Sequence, residues 1–396
     1  MSGDKLIAEI GDDKIIYVIY EKNKKSEYKI IKEKISEKTG IKNGKILDFN
    51  YASSRIKTDI NSIEKDLDKI FRNITIIINE IDISCTNLSV FKKLNGSKVE
   101  KRDFDYILNE AKSSVIKNQE DNSILHILNS NFILDKIKKK KMPLDLRGDH
   151  LSMHITFISL PKSNLKNITA LFEDNDIKID RIISKPLACG MNLLDKNKGA
   201  KNFILINFEK KISSVSMYED ASLVFLRTFP FGTDSIYKDI SQLCSISENE
   251  IKLIIKDLDL TKGETKKKIY VDKNYFKETE FKKLNINYLS NIIKARIDEM
   301  LNYLFNENKN LHYTNNNIFR IHLFFEDKEI LENLGKLFTN SLKVDESKTQ
   351  IELVELNDFL ALSGAAELIF KGWDKEAIPL NFRKKSVIAG FFERFL

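Results

Sequence analysis

A pattern of apolar strand, short polar turn and alternating strand occurs twice in this chain. One copy covers residues 203–218, and the other covers residues 6–21, about half the chain earlier. Each copy predicts a β-hairpin, because runs rich in Ile, Val and Tyr that are interrupted by polar residues form paired strands. The copies align residue for residue, with Glu9 on Asn207. We therefore expect a duplicated, two-lobed α/β fold with a cleft between the two turns.

A turn in such a cleft can present backbone N–H groups to a phosphate if the backbone approaches closely. This requirement is why phosphate-binding loops are rich in glycine. The first turn keeps one glycine, Gly11, and the second turn carries Glu209 at the matching position. The layout is that of a nucleotide cleft whose phosphate-binding chemistry is largely lost. Two unrelated hairpins in two ordinary α/β domains are the alternative explanation.

Bulk composition narrows the class of protein. A chain of 396 residues is too long for one core and predicts two or more domains. The net charge of +7 favours anionic surfaces, but no basic stripe with interleaved aromatic residues predicts nucleic-acid binding. The three cysteines lie far apart, without metal or disulfide spacing, so we expect a reducing, cytosolic compartment. Neither a signal peptide nor a membrane-spanning run is expected.

Histidines and lysines give no clear site. His150 and His154 flank an alternating strand pattern, so we interpret them as strand residues rather than metal ligands. The other histidines have no carboxylate or cysteine at ligand spacing, and we expect no metal site and no catalytic triad. The basic run 136–141 predicts a solvated loop or hairpin.

The first half of the chain predicts a lobe with an inserted unit. Thr58 or Asp59 is expected to cap a helix that reaches Phe71, and residues 74–78 form a buried strand. Residues 81–157 predict a separate small α+β unit. Its expected elements are a strand at 82–86, a helix at 100–118 and strands at 124–134 and 151–160.

The second half alternates helices and strands in the manner of an α/β lobe. Ser247 and Glu250 predict a capping box for the helix at 251–258, and residues 261–283 predict an exposed hairpin. The remaining expected elements are helices at 165–175, 186–194, 235–243, 289–305, 328–342 and 357–372, and strands at 177–183, 223–229 and 318–325. Residues 374–383 predict a linker.

The final residues predict an amphipathic helix with basic flanks, which is typical of a helix that lies on a membrane surface. The apolar stripe and the basic positions are Val387, Ile388, Phe391, Phe392, Phe395, Leu396, Lys384, Lys385 and Arg394. Full burial of one large apolar side chain contributes about 1.5–3 kcal/mol, and interfacial burial is partial. One tail is therefore expected to bind weakly, and firm attachment needs several tails on one assembly. Docking on the protein itself or on a partner is the alternative.

The order of these elements resembles the FtsA family of cell-division proteins in the actin-like ATPase superfamily. Residues 145–158 look like the family's glycine-containing loop and following strand, and residues 166–168 look like the start of its next helix. Residues 42–48 are similar to its Gly-Val-Ile-x-Asp segment. The resemblance covers nearly the whole chain. It implies an α/β, actin-like (RNase H-like) two-lobed fold with duplicated hairpin lobes, an inserted SHS2-like subdomain and a C-terminal amphipathic helix.

The implied domains follow that order. They are a first lobe at 1–80 and 158–196, the inserted subdomain at 81–157, a second lobe at 197–373 with an outer subdomain at about 232–310, and a linker and membrane-targeting tail at 374–396.

The resemblance also implies a nucleotide site, and the sequence departs from it. The family's first phosphate motif, Asp-x-Gly-Thr/Ser, appears as residues 9–12, and its second, Asp-x-Gly-Gly-Gly-Thr, appears as residues 207–212. The adenosine motif Gly-Gly-Ala/Ser appears as residues 324–326, where Phe is expected to fill the nucleoside position. The positions assigned to the nucleotide are Glu9, Gly11, Asp12, Asp13, Lys14, Asn207, Lys210, Lys211, Gly232, Thr233, Arg296 and Glu299.

The implied function is that of a tether for FtsZ at the division septum, on the inner face of the cytoplasmic membrane. The implied partners are the FtsZ C-terminal peptide, further copies of the chain in a filament, an anionic membrane surface, and later division proteins that bind residues 81–157. Mg-ATP is the implied cofactor, but the loss of the glycine-rich motifs predicts a pseudo-ATPase without catalytic residues. The alternatives are an active actin-like ATPase with unusual phosphate loops, or an actin-like adaptor of another membrane assembly.

Overall fold

A computed structural model describes residues 3–12, 14–22, 28–42, 45–196, 201–257, 270–312, 320–345 and 347–378. The chain divides into two compact units. The first comprises residues 1–201, 219–224 and 358–396, and the second comprises residues 202–218 and 225–357. One hairpin repeat lies in each unit.

The secondary structure alternates strands and helices along most of the chain. The strands are β1 Lys5–Ile10, β2 Lys14–Lys22, β3 Tyr28–Glu37, β4 Ile41–Lys42, β5 Lys45–Ile46, β6 Asn73–Ile78, β7 Ser84–Lys93, β8 Asn122–Leu134, β9 Ile137–Lys139, β10 His150–Pro161, β11 Lys178–Ser184, β12 Phe203–Phe208, β13 Ser213–Glu219, β14 Ser222–Phe229, β15 Arg320–Phe325, β16 Gln350–Glu355 and β17 Glu376–Ile378. The helices are α1 Phe49–Leu67, α2 Lys101–Asn118, α3 Lys162–Glu173, α4 Lys185–Lys196, α5 Asp234–Cys244, α6 Glu248–Asp257, α7 Ile286–Leu301, α8 Lys309–His312, α9 Lys328–Ser341 and α10 Leu360–Phe370. A 3₁₀ turn covers Lys273–Tyr275, and a π-helical segment covers Asn302–Asn306.

The first unit is built on a five-stranded sheet with the order β11-β6-β1-β2-β3. β1 runs antiparallel to β2 and parallel to β6, and β6 runs parallel to β11. Successive residues of β1 and β6 are buried, as expected for apolar strands that are covered on both faces. Helices α1 and α3 pack together against this sheet, and α4 and α10 form a second pair. The carboxyl ends of β1, β6 and β11 therefore lie at the same edge.

The second unit repeats this topology with the strand order β14-β13-β12-β15-β16. β12 runs antiparallel to β13 and parallel to β15, and β15 runs parallel to β16. Glu9 lies opposite Ile77 in the first sheet, and Asn207 lies opposite Phe324 in the second. The predicted alignment of Glu9 with Asn207 is thus confirmed, and so is the two-lobed duplicated fold.

The inserted segment forms most of a third sheet, with the order β17-β8-β10-β7 and β9 paired to β8, and residues 376–378 add the edge strand β17. Helix α2 packs on this sheet through Phe104, Ile107 and Ala111. Its start is fixed by a capping box, in which Oδ2 of Asp103 accepts a hydrogen bond from the N–H of Glu100 at 2.7 Å. The predicted helix at 100–118 and the strands at 124–134 and 151–160 are confirmed, with ends shifted by at most a few residues.

The predicted roles of the basic run and the two histidines are also confirmed. The run at 136–141 contains β9, which forms a hairpin with β8. His150 and His154 are residues of β10. No cluster of metal-ligating side chains occurs among the described residues.

The helix predicted from Thr58 or Asp59 to Phe71 is wrong at both ends. α1 begins after Asp48, whose carboxylate accepts a hydrogen bond from an N–H of the first turn at 2.9 Å, and it ends at Leu67. Asp59 lies in mid-helix, where its carboxylate is buried and ion-paired. Asp59, which the sequence suggested as a helix cap, is thus a buried ion-pair partner of Lys34.

Other corrections concern strands. β16 was not predicted, and β17 lies within the predicted linker at 374–383, because residues 376–378 pair with β8. The strand predicted at 82–86 begins later and runs on to Lys93. Of the hairpin predicted at 261–283, the described part, 270–283, contains the 3₁₀ turn and an isolated bridge instead of paired strands.

Two predictions lie outside the described residues. These are Asp13 and the amphipathic tail at 384–396. Among the helices of the described ranges, none has the length and apolar character that crossing a membrane requires.

Candidate functional site

The first half of the predicted nucleotide site is the β1–β2 turn of the first unit. A backbone hydrogen bond from Gly11 N to Lys14 O, 2.8 Å long, closes this turn. Glu9 lies in β1 just before it, with its side chain buried. Asp12 is exposed in the turn, and Asp13 lies outside the described residues. The turn therefore keeps a tight shape with one glycine.

A lysine at a neighbouring strand end meets Glu9. Ile10 and Ser184 lie opposite the same residue of β6, Ile78. Lys185 follows Ser184 at the start of α4, so its side chain can reach across the carboxyl ends of the strands. Its Nζ lies 2.8 Å from Oε1 of Glu9, and the two side chains are only 11% and 5% exposed. Glu9 is therefore one half of a buried ion pair.

Lys14, at the start of β2, also has an acidic partner. Its Nζ lies 2.6 Å from Oδ1 of Asp358, which precedes α10. Both side chains are partly exposed, so water screens this pair more than it screens Glu9 and Lys185. The ammonium group that the resemblance assigns to the nucleotide site thus faces a carboxylate of the same unit.

The second half of the predicted site is the β12–β13 turn of the second unit. A hydrogen bond from Glu209 N to Ile212 O, 3.0 Å long, closes it in the same manner as the first turn. Lys210 and Lys211 lie between these residues. The duplication therefore extends to the hydrogen bonding of the turns, although their side chains differ.

Asn207 occupies the position in β12 that Glu9 occupies in β1. Its side chain is buried, and its Nδ2 donates to Oγ of Ser214 at 3.2 Å. Its Oδ1 has no hydrogen-bond partner within the described part of the chain. A carboxamide carries no charge, so the second turn lacks the buried carboxylate of the first.

Gly232 and Thr233 pack directly on the second turn. The N–H groups of Thr233 and Asp234 donate to the carbonyl oxygens of Glu209 and Lys210, each at 2.9 Å. A Cβ at Gly232 would lie 2.1 Å from the oxygen of Glu209, so only glycine permits this approach. The structure thus brings together three predicted positions, Lys210, Gly232 and Thr233.

A carboxylate caps the same turn. Glu326 follows β15, and its own N–H donates to the carbonyl oxygen of Phe208 at 2.9 Å. This fixes the residue beside the turn, where Oε2 of Glu326 accepts a hydrogen bond from Lys210 N at 3.0 Å. A backbone N–H of the second turn is therefore bound to an anionic group of the chain itself.

Arg296 and Glu299 lie together on α7. The guanidinium of Arg296 binds both carboxylate oxygens of Asp239 on α5, and its Nη1 lies 2.7 Å from Oε2 of Glu299. Hydrogen bonding to Asp239 raises the pKa of Arg296. These two predicted positions form an ion network that joins α5 to α7.

The phenylalanines of the altered adenosine motif are core residues of the second unit. Phe324 and Phe325 are fully buried in β15. The ring of Phe325 stacks on Phe208 with centroids 5.0 Å apart and meets Phe338 of α9 at 4.9 Å. That these rings fill a nucleoside position stays a prediction.

Comparison with known proteins finds relatives of this chain. The family model for the SHS2 domain inserted in FtsA matches residues 81–159. The cell division protein FtsA of Buchnera aphidicola subsp. Schizaphis graminum (strain Sg) is 25% identical over 377 residues, which cover 94% of this chain and 84% of that protein. The cell division protein FtsA of Bacillus subtilis (strain 168) is 24% identical over 283 residues, which cover 69% of this chain and 63% of that protein. The chain is related to the FtsA family.

A solved structure agrees with this relationship at the level of the fold. The chain is similar to the PilM-PilN type IV pilus biogenesis complex, with a TM-score of 0.57 and 9% identity over 94% of this chain and 98% of that chain. At this identity the likeness shows the fold alone. The two sheets share one topology, and an SHS2 domain is inserted in the first half of the chain. These features agree with the actin-like fold that is expected for an FtsA relative. The FtsA relatives support a role in cell division.

The FtsA-type SHS2 domain exposes one edge of its sheet. β7 lies at the end of the strand order, and its neighbour β10 is its one strand partner in the described sheet. Phe91 on this strand is 59% exposed, and Tyr106 on α2 is 50% exposed. Both line a groove, together with Lys92, whose ammonium lies 2.7 Å from Asp103. This surface combines unpaired strand edge and exposed aromatic rings.

Reasoning from the sequence missed the side chains that form ion pairs with the predicted nucleotide-site residues. Lys185, Asp358 and Asp239 were not singled out, because each is far along the chain from its partner. The order of strands in the sheets brings Lys185 to Glu9, and that order is not visible in sequence spacing. The one available signal concerned Glu326, because the resemblance places the altered adenosine motif at residues 324–326.

Proposed function

We propose that this chain holds FtsZ to the inner face of the cytoplasmic membrane at the division septum. The observation that carries the proposal is an SHS2 domain of the kind inserted in FtsA, located within an actin-like chain. The FtsA relatives support the same role because two of them cover most of this chain's length.

The membrane contact in this proposal is the tail at 384–396. Its apolar stripe and basic flanks favour the surface of an anionic leaflet, to which each Lys or Arg contributes about 1 kcal/mol. The described chain leads up to it through β17, which pairs with β8. Arg181 and Glu376 form a buried ion pair that fixes this strand in the first unit. In the sequence, the tail begins six residues after this anchored strand.

The FtsZ peptide is proposed to bind within residues 232–310. Exposed apolar side chains in this range support the proposal, because peptide-binding surfaces expose such groups. Leu243 is 60% exposed, and Leu253 and Phe281 are also exposed. Self-assembly into a filament belongs to the same proposal and gives the avidity that one weak tail lacks.

Later division proteins are proposed to bind residues 81–157. The edge strand β7, with exposed Phe91, supports this assignment because an unpaired strand edge can accept an added strand.

Two binding measurements test the adaptor function. The first is co-sedimentation of the full chain with vesicles that contain anionic lipid, with a chain ending at residue 383 as the control. The second is fluorescence anisotropy of a labelled FtsZ C-terminal peptide, with a scrambled peptide as the control. We expect only the full chain to sediment and both chains to bind the peptide. An adaptor of another membrane assembly would not bind the FtsZ peptide, and that result would overturn the proposal.

A further inference from the structure

We propose that side chains of this chain stand in for the charges of a magnesium nucleotide, so that each lobe closes its turn without a ligand. Lys185 is the internal cation at the first turn, and Glu326 is the internal anion at the second. The inference concerns the two hairpin turns and is independent of membrane and FtsZ binding.

At the first turn, the buried carboxylate already has its cation. Nζ of Lys185 lies 2.8 Å from Glu9, and neither side chain exceeds 11% exposure. A magnesium ion at Glu9 would meet this ammonium at a few ångströms in a medium that screens charges poorly. Removing either member of such a pair leaves an uncompensated buried charge. Glu9 therefore does not fit a metal-binding role while Lys185 is in place.

Lys14 is a cation of the same turn that already has an anionic partner. A lysine beside a phosphate loop binds anionic oxygens, and here Asp358 supplies one at 2.6 Å. The pair lies within the first unit, so the ammonium is satisfied by the protein. A phosphate would have to displace this carboxylate in order to reach Lys14.

At the second turn, the carboxylate of Glu326 takes the place of a phosphate oxygen. It accepts the N–H of Lys210 at 3.0 Å, which is an ordinary length for a hydrogen bond to an anion. The backbone of Gly232 closes on the other side of the turn, where a Cβ would already lie 2.6 Å from the Lys210 oxygen. Residues 209–211 of the turn include no glycine, and the N–H of Lys210 is already bound to Glu326, whereas close phosphate approach requires glycines and open N–H groups.

The first experiment is thermal unfolding of the full chain with and without millimolar Mg-ATP. A nucleotide at about 100 times its Kd would raise the Tm of a chain of this length by roughly 3 °C, and we expect no rise. A magnesium-dependent rise would overturn the proposal. Vesicle and peptide binding are measured on the same preparation, so failure of this inference is distinguishable from failure of the adaptor function.

The second experiment tests Lys185 as the stand-in cation. Lys185→Ala is expected to lower the Tm, and MgCl₂ is expected to restore part of the loss, because the carboxylate of Glu9 becomes available. The double variant Glu9→Gln with Lys185→Ala should not respond to MgCl₂. Lys196→Ala, at the exposed end of the same helix, is the matched control.

Lys185→Gln serves as a milder variant if Lys185→Ala does not fold. Its amide can still donate a hydrogen bond to Glu9 but carries no charge, so a smaller MgCl₂ response in the same direction is expected. A Lys185 variant that folds and shows no response to MgCl₂ would contradict the assignment of Lys185 as the internal cation.

Discussion

The carboxylate of Glu250 joins the start of α6 to the irregular segment that precedes α7. It accepts hydrogen bonds from Ser247 N at 3.0 Å, Glu278 N at 2.7 Å, and both the N–H and the hydroxyl of Thr279 at 3.0 and 2.8 Å. Burial raises the pKa of this carboxyl group, but the hydrogen bonds outweigh burial and lower it to about 2. The capping box predicted from Ser247 and Glu250 is confirmed. The contacts to Glu278 and Thr279 were not predictable, because they cross an irregular stretch of chain.

Replacing Glu250 by Gln should lower the free energy of unfolding by about 1.5–3 kcal/mol near neutral pH, because charged acceptors make the stronger hydrogen bonds. The folded pKa lies below the ordinary value of 4.5. The contribution is therefore fully present above about pH 4.5 and lost as the pH falls toward 2. Urea unfolding at neutral pH and at about pH 3 should show a smaller gap between wild type and variant in acid. Glu248→Gln, exposed in the same helix, is the control, and an equal gap at both pH values would refute the prediction.

His126 is fully buried, and its Nε2 accepts a hydrogen bond from Ser184 N at 3.3 Å. Burial, with a smaller effect of the nearby Arg181, lowers its pKa from 6.5 to about 3. Below pH 6.5 the unfolded chain binds a proton that the folded chain does not. Folding should then lose about 1.4 kcal/mol per pH unit from this group.

His126→Gln keeps an acceptor for Ser184 and removes the titrating group. We expect its free energy of unfolding to fall less than that of wild type between pH 7 and 5, by about 1–2 kcal/mol. Chemical unfolding at the two pH values measures this difference. His154→Gln on β10 should behave as wild type, and an unchanged slope in His126→Gln would show that another group controls the pH dependence.

Among the elements, strands with a strong apolar pattern could be predicted, whereas the edge strands β16 and β17 could not. Residues 74–78 form an unbroken apolar run, and such a run is readable without knowing its neighbours. β16 at Gln350–Glu355 is partly exposed and carries charged residues, so its strand character depends on pairing with β15. β17 has three residues and gains its conformation from β8. Tertiary pairing, rather than local pattern, determines these two strands.

Helices α4 and α10 approach closely at Gly364. A Cβ at this position would lie 1.8 Å from the carbonyl oxygen of Ala188, a backbone atom that cannot rotate away. Gly364→Ala should lower the free energy of unfolding by about 1–3 kcal/mol or more through overpacking. Gly335→Ala is the matched control, because its Cβ would meet the movable side chain of Leu353 at 2.9 Å. Equal thermal stability of the two variants would contradict this packing.

The pairing of β17 with β8 predicts how stability depends on where the chain is truncated. A chain ending at residue 378 keeps the pairing with β8 and the ion pair of Glu376 with Arg181. A chain ending at residue 375 leaves Arg181 without this partner in the interior, which should cost about 3–5 kcal/mol. Thermal unfolding should therefore show a lower Tm than that of the full chain for the chain ending at residue 375, but not for the chain ending at residue 378. Indistinguishable melting curves would show that β17 does not stabilise the first unit.

At the scale of the whole molecule, the repeat predicted more of the architecture than of the chemistry. It placed Glu9 and Asn207 at equivalent positions, and the sheets and the hydrogen bonds that close the turns agree with that alignment. The groups around them have diverged, since Lys185 meets Glu9 and Glu326 meets the second turn. Such contacts depend on strand order and on side chains distant in sequence, so the repeat alone could not reveal them.

The most direct test of the adaptor role is recruitment of a labelled FtsZ C-terminal peptide to anionic vesicles by the full chain. The role predicts that the peptide co-sediments with the vesicles when the full chain is present. It also predicts that the peptide stays in solution with the chain that ends at residue 383. Peptide that remains in solution although the full chain is bound to the vesicles would contradict the role.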